Sequence, residues 1–504
     1  MKTISDILEA GGADRPAIGA PDRCSMTYGM LRARTETVRS ALRAMGVSVT
    51  DRVAIVLPNG PEMATAFLTI AASAATAPLN PGYRRDEFDF YLGDLKPKIL
   101  VVQVGDDTPA RAAAEAAGIA VVEIEVPQDA EAGFFTLKPS ADAAVVDSGP
   151  SQAENEALVL HTSGTTSRPK VVPLTGANLA ASAIHIRDTL SLTADDTGLN
   201  IMPLFHIHGL IASLLSSMSV GAHVVCTPGF NALKIFGWFS EVNPTWYTAV
   251  PTMHQAIVAR AERNKETLAK IQLRFIRSSS SSLPQTVFAE LEATFGVPVI
   301  EAYGMTEASH QMASNQLPPG KRKAGTVGPS GGPEIAILDE EGIELPRGAT
   351  GEIVIRGPNV FAGYENNPSA NATAFTNGWF RTGDQGSFDE DGHLAITGRL
   401  KEIINRGGEK IAPREVDDVL QAHPAVSQVV TFAIPHDKLG EDVAAIVVLK
   451  EGASATEHEL RDHCAKSLAD FKVPRKILFM DEIPKGATGK LQRIGLAQKL
   501  GLTS

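Results

Sequence analysis

The sequence predicts an α/β protein in two parts. A large, multi-lobed N-terminal domain is built on mostly parallel sheets with a β-rich lobe, and a small α+β domain follows it. Three observations carry this expectation. Apolar strand-like runs alternate with helical spacing as far as Ile300, the pattern of parallel sheets covered by helices. From Gly332 the texture changes to short alternating runs set between Gly, Asp and Asn turns. After Arg399 a new set of strands and helices begins, with enough apolar residues for a core of its own. The expected domains are therefore 1–399 and 400–504.

In order along the chain, Tyr28 to Ala44 carries helical spacing, and Arg52 to Leu57 is a short buried strand. Pro61 to Ala75 follows as an apolar helix, and Lys98 to Val102 as another strand. Residues 157 to 162 form a strand that runs into a Ser/Thr/Gly loop. Lys170 to Leu174 is a second strand, and Thr175 is placed to cap the next helix. Val250, Phe275-Ile276 and Val299-Ile300 extend the alternation. Glu334 to Leu338, Gly351 to Arg356 and His393 to Thr397 are the hairpin strands. The C-terminal unit reads as helices Pro413 to Gln421, Thr456 to Ser467 and Leu491 to Leu500. Its strands are Val426 to Ile434, Val443 to Leu449 and Lys476 to Met480.

Composition excludes several classes of function. The chain has 504 residues and a formal charge of −12, so a nucleic-acid coat, which needs basic surface, is a poor match. Cys24, Cys226 and Cys464 are three and far apart, which rules out a disulfide framework and a cysteine zinc cluster. No apolar run is long enough to span a bilayer, and the opening residues lack a secretion signal. The expectation is a cytoplasmic protein acting on small molecules, with neither nucleic-acid nor membrane partners; oligomeric state stays open.

The densest chemical signal is Thr162-Ser163-Gly164-Thr165-Thr166-Ser167-Arg168-Pro169-Lys170. Hydroxyls, a glycine and two cations between two strands suit a polyphosphate. It is not a Walker A loop, because Lys170 follows Pro169 and no Ser or Thr comes next. Four more motifs follow: Tyr303-Gly304-Met305-Thr306-Glu307, Trp379 to Asp384, Gly398-Arg399-Leu400-Lys401-Glu402 and Pro484 to Lys490. With these five motifs in order, the chain resembles the adenylate-forming acyl-CoA synthetases over essentially its whole length.

That resemblance implies ATP, Mg²⁺ and coenzyme A as reaction partners. A carboxylate attacks the α-phosphate of ATP, and coenzyme A thiol then displaces AMP. Attack of one anion on another requires charge neutralisation and in-line placement. By the resemblance, Thr162, Ser163, Gly164, Thr165, Thr166 and Lys170 hold phosphates, and Tyr303 with Gly304 lies against adenine. Thr306 donates to the α-phosphate and Glu307 holds the metal. Asp384 takes the ribose hydroxyls with Arg399 beside it; alone, Asp384 reads as a turn former. Lys490 bridges carboxylate and α-phosphate as the catalytic cation. The small domain is implied to be mobile, with Lys401 as its hinge. Arg406, Gly407, Gly408 and Lys410 line the coenzyme A path, although the glycine pair also reads as a simple tight turn.

The acid pocket is expected from Leu204 to Gly209, from Arg277 with Ser278 to Ser282, and from Ala308-Ser309-His310. Imidazoles and hydroxyls there suit a small acid with a second carboxylate better than an apolar tail. The pattern is similar to the oxalate-activating branch, which assigns His206, Ser280 and His310 to oxalate with His208 beside them. His206 also joins Lys490, Thr306 and Glu307 in the catalytic set. Malonate, a short monocarboxylate and loading onto a carrier-protein thiol are the alternatives. His206 and His208, if on a strand, point to one face and suit a metal as well as an anion. The serine run equally suits a backbone lining for adenine. Val171 departs from the family pattern, and a β-branched residue there stiffens the strand entry.

Overall fold

A computed structural model of the chain describes residues 1–138, 145–162, 169–484 and 493–502. Among them, two large sheets form the body of the N-terminal region. One runs in the order His310–Ser314, Val299–Met305, Phe275–Ser278, Trp246–Ala249, Thr197–Asn200, His223–Cys226, Pro16–Ala20 and Arg23–Thr27. Its interior pairs are parallel and both edge pairs antiparallel. The second has Arg52–Val56 between Ile99–Gln103 and Ala75–Pro78, and ends in Glu156–His161 paired antiparallel with Val171–Thr175. The helix Tyr28–Ala44 shows why the chain folds this way. Tyr28, Leu31, Thr35, Val38 and Leu42 are its buried stripe, at steps of three and four, and Thr27 caps it by accepting from the Met30 amide at 3.3 Å.

A third, antiparallel sheet contains Glu334–Leu338, Gly351–Arg356, Trp379–Phe388 and Leu394–Arg399. A fourth begins at Ile404–Arg406 and is centred on Val426–His436 and Gly440–Leu449. Residues 400–403 lie between these two sheets, and Lys401 sits exposed in a single 3₁₀ turn, Leu400–Glu402. The helix Pro413–Gln421 packs Pro413, Val416 and Leu420 inward. From it Arg414 reaches back to donate to the Ile396 carbonyl at 2.7 Å, joining the fourth sheet's helix to the third sheet.

Some expectations are corrected here. The helix from Pro61 stops at Ala71, because the chain turns to supply the buried strand Ala75–Pro78. Trp379–Phe388, ten residues long, was not foreseen as a strand; its alternating burial is masked by Gly383 and Gly386. His206 and His208 do not share a strand. His206 lies in a bend, and His208 opens a π-helix, His208–Leu215, so the two-residue alternation of a strand does not apply. In the last segment the described helix covers only Leu496–Lys499.

Glu301, on the Val299–Met305 strand, illustrates the cost of this packing. Leu283 donates its amide to Glu301 Oε1 at 3.2 Å, while Oε2 is buried with no partner among the described residues. Burial pushes the carboxyl up to about 7; Arg414 opposes the shift and Asp418 adds to it. The folded state thus holds a proton that the unfolded chain, near 4.5, has already lost. Stability from this group is full below that unfolded value and falls as pH rises through about 7. Glu301→Gln is expected to flatten that fall. The check is the difference in melting temperature between variant and parent from pH 5 to 8, which must widen with pH.

Candidate active site

Around Glu307 the structure gathers charge from three segments. Glu307 is buried in the 3₁₀ turn Thr306–Ala308, and the Tyr364 hydroxyl donates to its Oε1 at 2.9 Å. Burial raises its pKa, with Tyr364, Arg399 and Lys170 acting in the opposite sense. Lys170 lies with its Nζ 4.2 Å from the centre of the Tyr364 ring, and burial lowers its pKa. Thr162 and Lys170 face each other across the strand ends: the Thr162 amide donates to the Lys170 carbonyl at 2.9 Å. Tyr364 was missed at the level of sequence, although an aromatic after Gly363 in a Pro/Gly/Asn-rich stretch was a visible signal.

A second group is continuous with the first. Tyr303 donates its hydroxyl to the Asp384 carboxylate, and Arg399 Nε stands 3.0 Å from Asp384 Oδ1. Burial raises the Asp384 pKa against the pull of Arg399. Three of the expected nucleotide residues are thus directly bonded: Asp384 and Arg399 face each other across neighbouring strands, and Tyr303 joins them from a strand remote in sequence. Gly304, next to Tyr303, lies tight against the neighbouring strand: a Cβ there would stand 2.0 Å from the His310 carbonyl oxygen.

The third group is the expected acid pocket. His208 Nδ1 is 2.9 Å from Ser280 Oγ, and its Nε2 is 2.6 Å from Thr248 Oγ1. The His208 and His310 rings stand 5.1 Å apart. Ser280, Ser309 and His310 have φ of +71°, +49° and +104°, left-handed values that cost a non-glycine residue about 1–3 kcal/mol each. Strain of that kind, beside a rare π-helix, is typical of a ligand-shaping site. Of the serine run, Ser278 and Ser279 are buried, Ser281 and Ser282 exposed, and Ser280 alone bonds His208. His206 is half-buried two residues earlier, its ring 4.6 Å from that of Phe205.

Other expected positions are placed as follows. Arg406 is held by Asp442 at 2.8 Å, and Gly407 and Gly408 at φ +63° and +99° close a two-residue hairpin turn that leaves Lys410 exposed. Ser163, Gly164, Thr165, Thr166 and Lys490 lie outside the described residues. Val171 lies at the strand entry, as expected. It starts a strand, pairs with His161, and packs with Val56, Ala77 and Phe88. Val171→Gly is expected to cost about 2 kcal/mol, from lost burial and added backbone freedom. The midpoint of denaturant unfolding measures it, and an unchanged midpoint would show that the site refills.

Buried carboxylates whose pKa values are raised and which face cations mark an enzyme's active site, here in a chain with a separate C-terminal sheet. The family profile for the AMP-binding enzymes matches residues 9–365, and that for their C-terminal domain matches 415–490. The chain belongs to the AMP-binding enzyme family, as an adenylate-forming member. It is 45% identical to the oxalate–CoA ligase of Arabidopsis thaliana, over 98% of each chain. It is 43% identical to that of Saccharomyces cerevisiae, over 90% of this chain and 88% of the other. The structure of ATP-bound MatB from Rhodopseudomonas palustris superposes with a TM-score of 0.87 at 31% identity, covering 99% of both chains.

Proposed function

We propose that this chain joins oxalate to coenzyme A with cleavage of ATP to AMP and pyrophosphate. The observation that carries the reading is the His208–Ser280–His310 cluster: polar groups in or beside the core, costly unless a ligand pairs with them, on a chain close to oxalate–CoA ligases. One oxalate carboxylate attacks the α-phosphorus, pyrophosphate leaves, and the thiolate of coenzyme A then displaces AMP from the acyl carbon. Thr162 with the Ser163–Thr166 loop and Lys170 hold the phosphates. Tyr303 and Gly304 face adenine, and Asp384, oriented by Tyr303 and Arg399, accepts from the ribose. Thr306 donates to the α-phosphate, and His206, Ser280 and His310 hold the acid.

Glu307 fits a Mg²⁺ ion. Its carboxylate is a hard oxygen donor whose ionised form is disfavoured by burial, and a cation relieves that penalty. When bound, the ion neutralises phosphate charge. Lys490 supplies the cation between carboxylate and phosphate. Lys401 serves as hinge between domains 1–399 and 400–504, and its exposed 3₁₀ turn suits that task. The Arg406–Lys410 hairpin lies on the coenzyme A path. No described helix is long and apolar enough to cross a membrane. Three unbonded cysteines suit a reducing compartment such as the cytoplasm.

An acid panel with ATP and coenzyme A tests this reading by AMP release. Oxalate is expected to exceed malonate, acetate and glyoxylate by at least about tenfold in kcat/KM. A preference for malonate or a monocarboxylate would assign another acid, and transfer only to a pantetheine-bearing carrier would assign another acceptor.

A further inference from the structure

Arg277 is fully buried, on the Phe275–Ser278 strand, one residue before the serine run. No carboxylate is paired with it among the described residues, and burial alone moves its pKa, down to about 9. At neutral pH it therefore remains a cation. Its contacts are two neutral acceptors: Nη1 to Thr248 Oγ1 at 3.5 Å and Nη2 to Gln311 Oε1 at 3.3 Å, with Nε unpartnered. The Gln311 amide is turned so that its oxygen meets Arg277, because its Nε2 donates to Thr189 Oγ1 and to the Gly331 carbonyl, each at 3.0 Å. An uncompensated charge held this deep is a liability unless it works on something.

Thr248 connects it to the acid pocket. A guanidinium only donates, so Thr248 Oγ1 accepts from Arg277. The Thr248 hydroxyl proton has one acceptor among the described residues, His208 Nε2 at 2.6 Å. In that arrangement Nε2 bears no proton, and Nδ1 carries it and donates to Ser280 Oγ, 2.9 Å away. The Ser280 proton is left for another acceptor.

We propose that Arg277 is a positioning residue that sets the direction of the relay Arg277–Thr248–His208–Ser280, so that Ser280 donates to the distal carboxylate of a small dianionic acid and the site prefers dianions to monoanions. This rests on the acid pocket of the function proposed above. Without the guanidinium, the Thr248 proton can turn toward the vacated side and its oxygen can accept from Nε2–H; His208 then takes its other tautomer, and Ser280 must turn its proton back to Nδ1.

The test measures KM and kcat for oxalate and for glyoxylate, and KM for ATP, in the parent, Arg277→Met, Arg277→Lys and Thr248→Val. Arg277→Met and Thr248→Val are expected to raise KM for oxalate roughly 30-fold. Their oxalate-to-glyoxylate preference should fall at least about tenfold, with KM for ATP within about twofold of the parent. Arg277→Lys should recover part of the preference. If Arg277→Met fails to fold, Thr248→Val decides, since it cuts the relay and removes no charge. An unchanged preference in Thr248→Val, or an equal rise in KM for ATP, overturns the proposal. If the parent favours another dianion, the oxalate assignment falls and the relay is judged on that acid. If the parent favours a monoanion, both fall.

Discussion

Replacing Lys490 by alanine is expected to cut acid-dependent adenylation about a thousandfold, while thioester formation from supplied acyl-adenylate changes less than about fivefold. The first half-reaction drives a carboxylate onto a phosphate, so negative charge on the in-line oxygens peaks in the transition state. Two other cations are at hand, and neither is spare. Lys170 is half-buried over Tyr364 beside Glu307, and Arg399 is paired with Asp384. The second half-reaction starts from an acyl-adenylate with no pyrophosphate to expel, so it does not need that bridge. Acid-dependent exchange of pyrophosphate into ATP measures the first step, and single-turnover AMP release from acyl-adenylate plus coenzyme A measures the second. Equal losses in both would remove Lys490 from the role.

Gly304→Ala is expected to destabilise the protein by about 3 kcal/mol and to lower ATP affinity and acid turnover together. The added Cβ would meet the His310 carbonyl carbon at 2.6 Å as well as its oxygen, and backbone cannot swing aside like a side-chain tip. Relief requires the Val299–Met305 and His310–Ser314 strands to part where they pair through Gly304 and Gln311. Parting them moves Tyr303 on one side and His310 on the other. Calorimetric melting with isothermal titration of ATP checks this. A variant that melts like its parent and binds ATP normally would mean that the hairpin opens at little cost.

The sequence made the fold legible wherever an element carries its own period. Tyr28 to Ala44 and Pro413 to Gln421 show buried residues at steps of three and four, and both helices lie where that spacing puts them. Ala75–Pro78 and Trp379–Phe388 escaped because small residues and glycines hide their strand pattern. Of the candidate site, motifs picked out Tyr303, Asp384 and Arg399, which the fold joins directly. The contacts of Tyr364, Thr248, Gln311 and Arg277 escaped for another reason. Each residue matters through a contact with a residue remote in sequence, and no local spacing encodes such a contact. The π-helix at His208 is likewise invisible to a pattern search tuned to strands and α-helices.

That π-helix makes length, rather than side-chain identity, a means of retuning the pocket. An α-helix advances about 100° per residue, and a wider turn accommodates one more residue than an α-helical one. Deleting a single residue between Gly209 and Leu215 would let the segment tighten. The His208 imidazole would then rotate out of line with Thr248 and Ser280, while the hydrophobic stretch behind it stayed packed. On the function proposed above, acid preference is therefore exposed to one-residue insertions and deletions, a route by which a descendant could change diet without changing its catalytic groups.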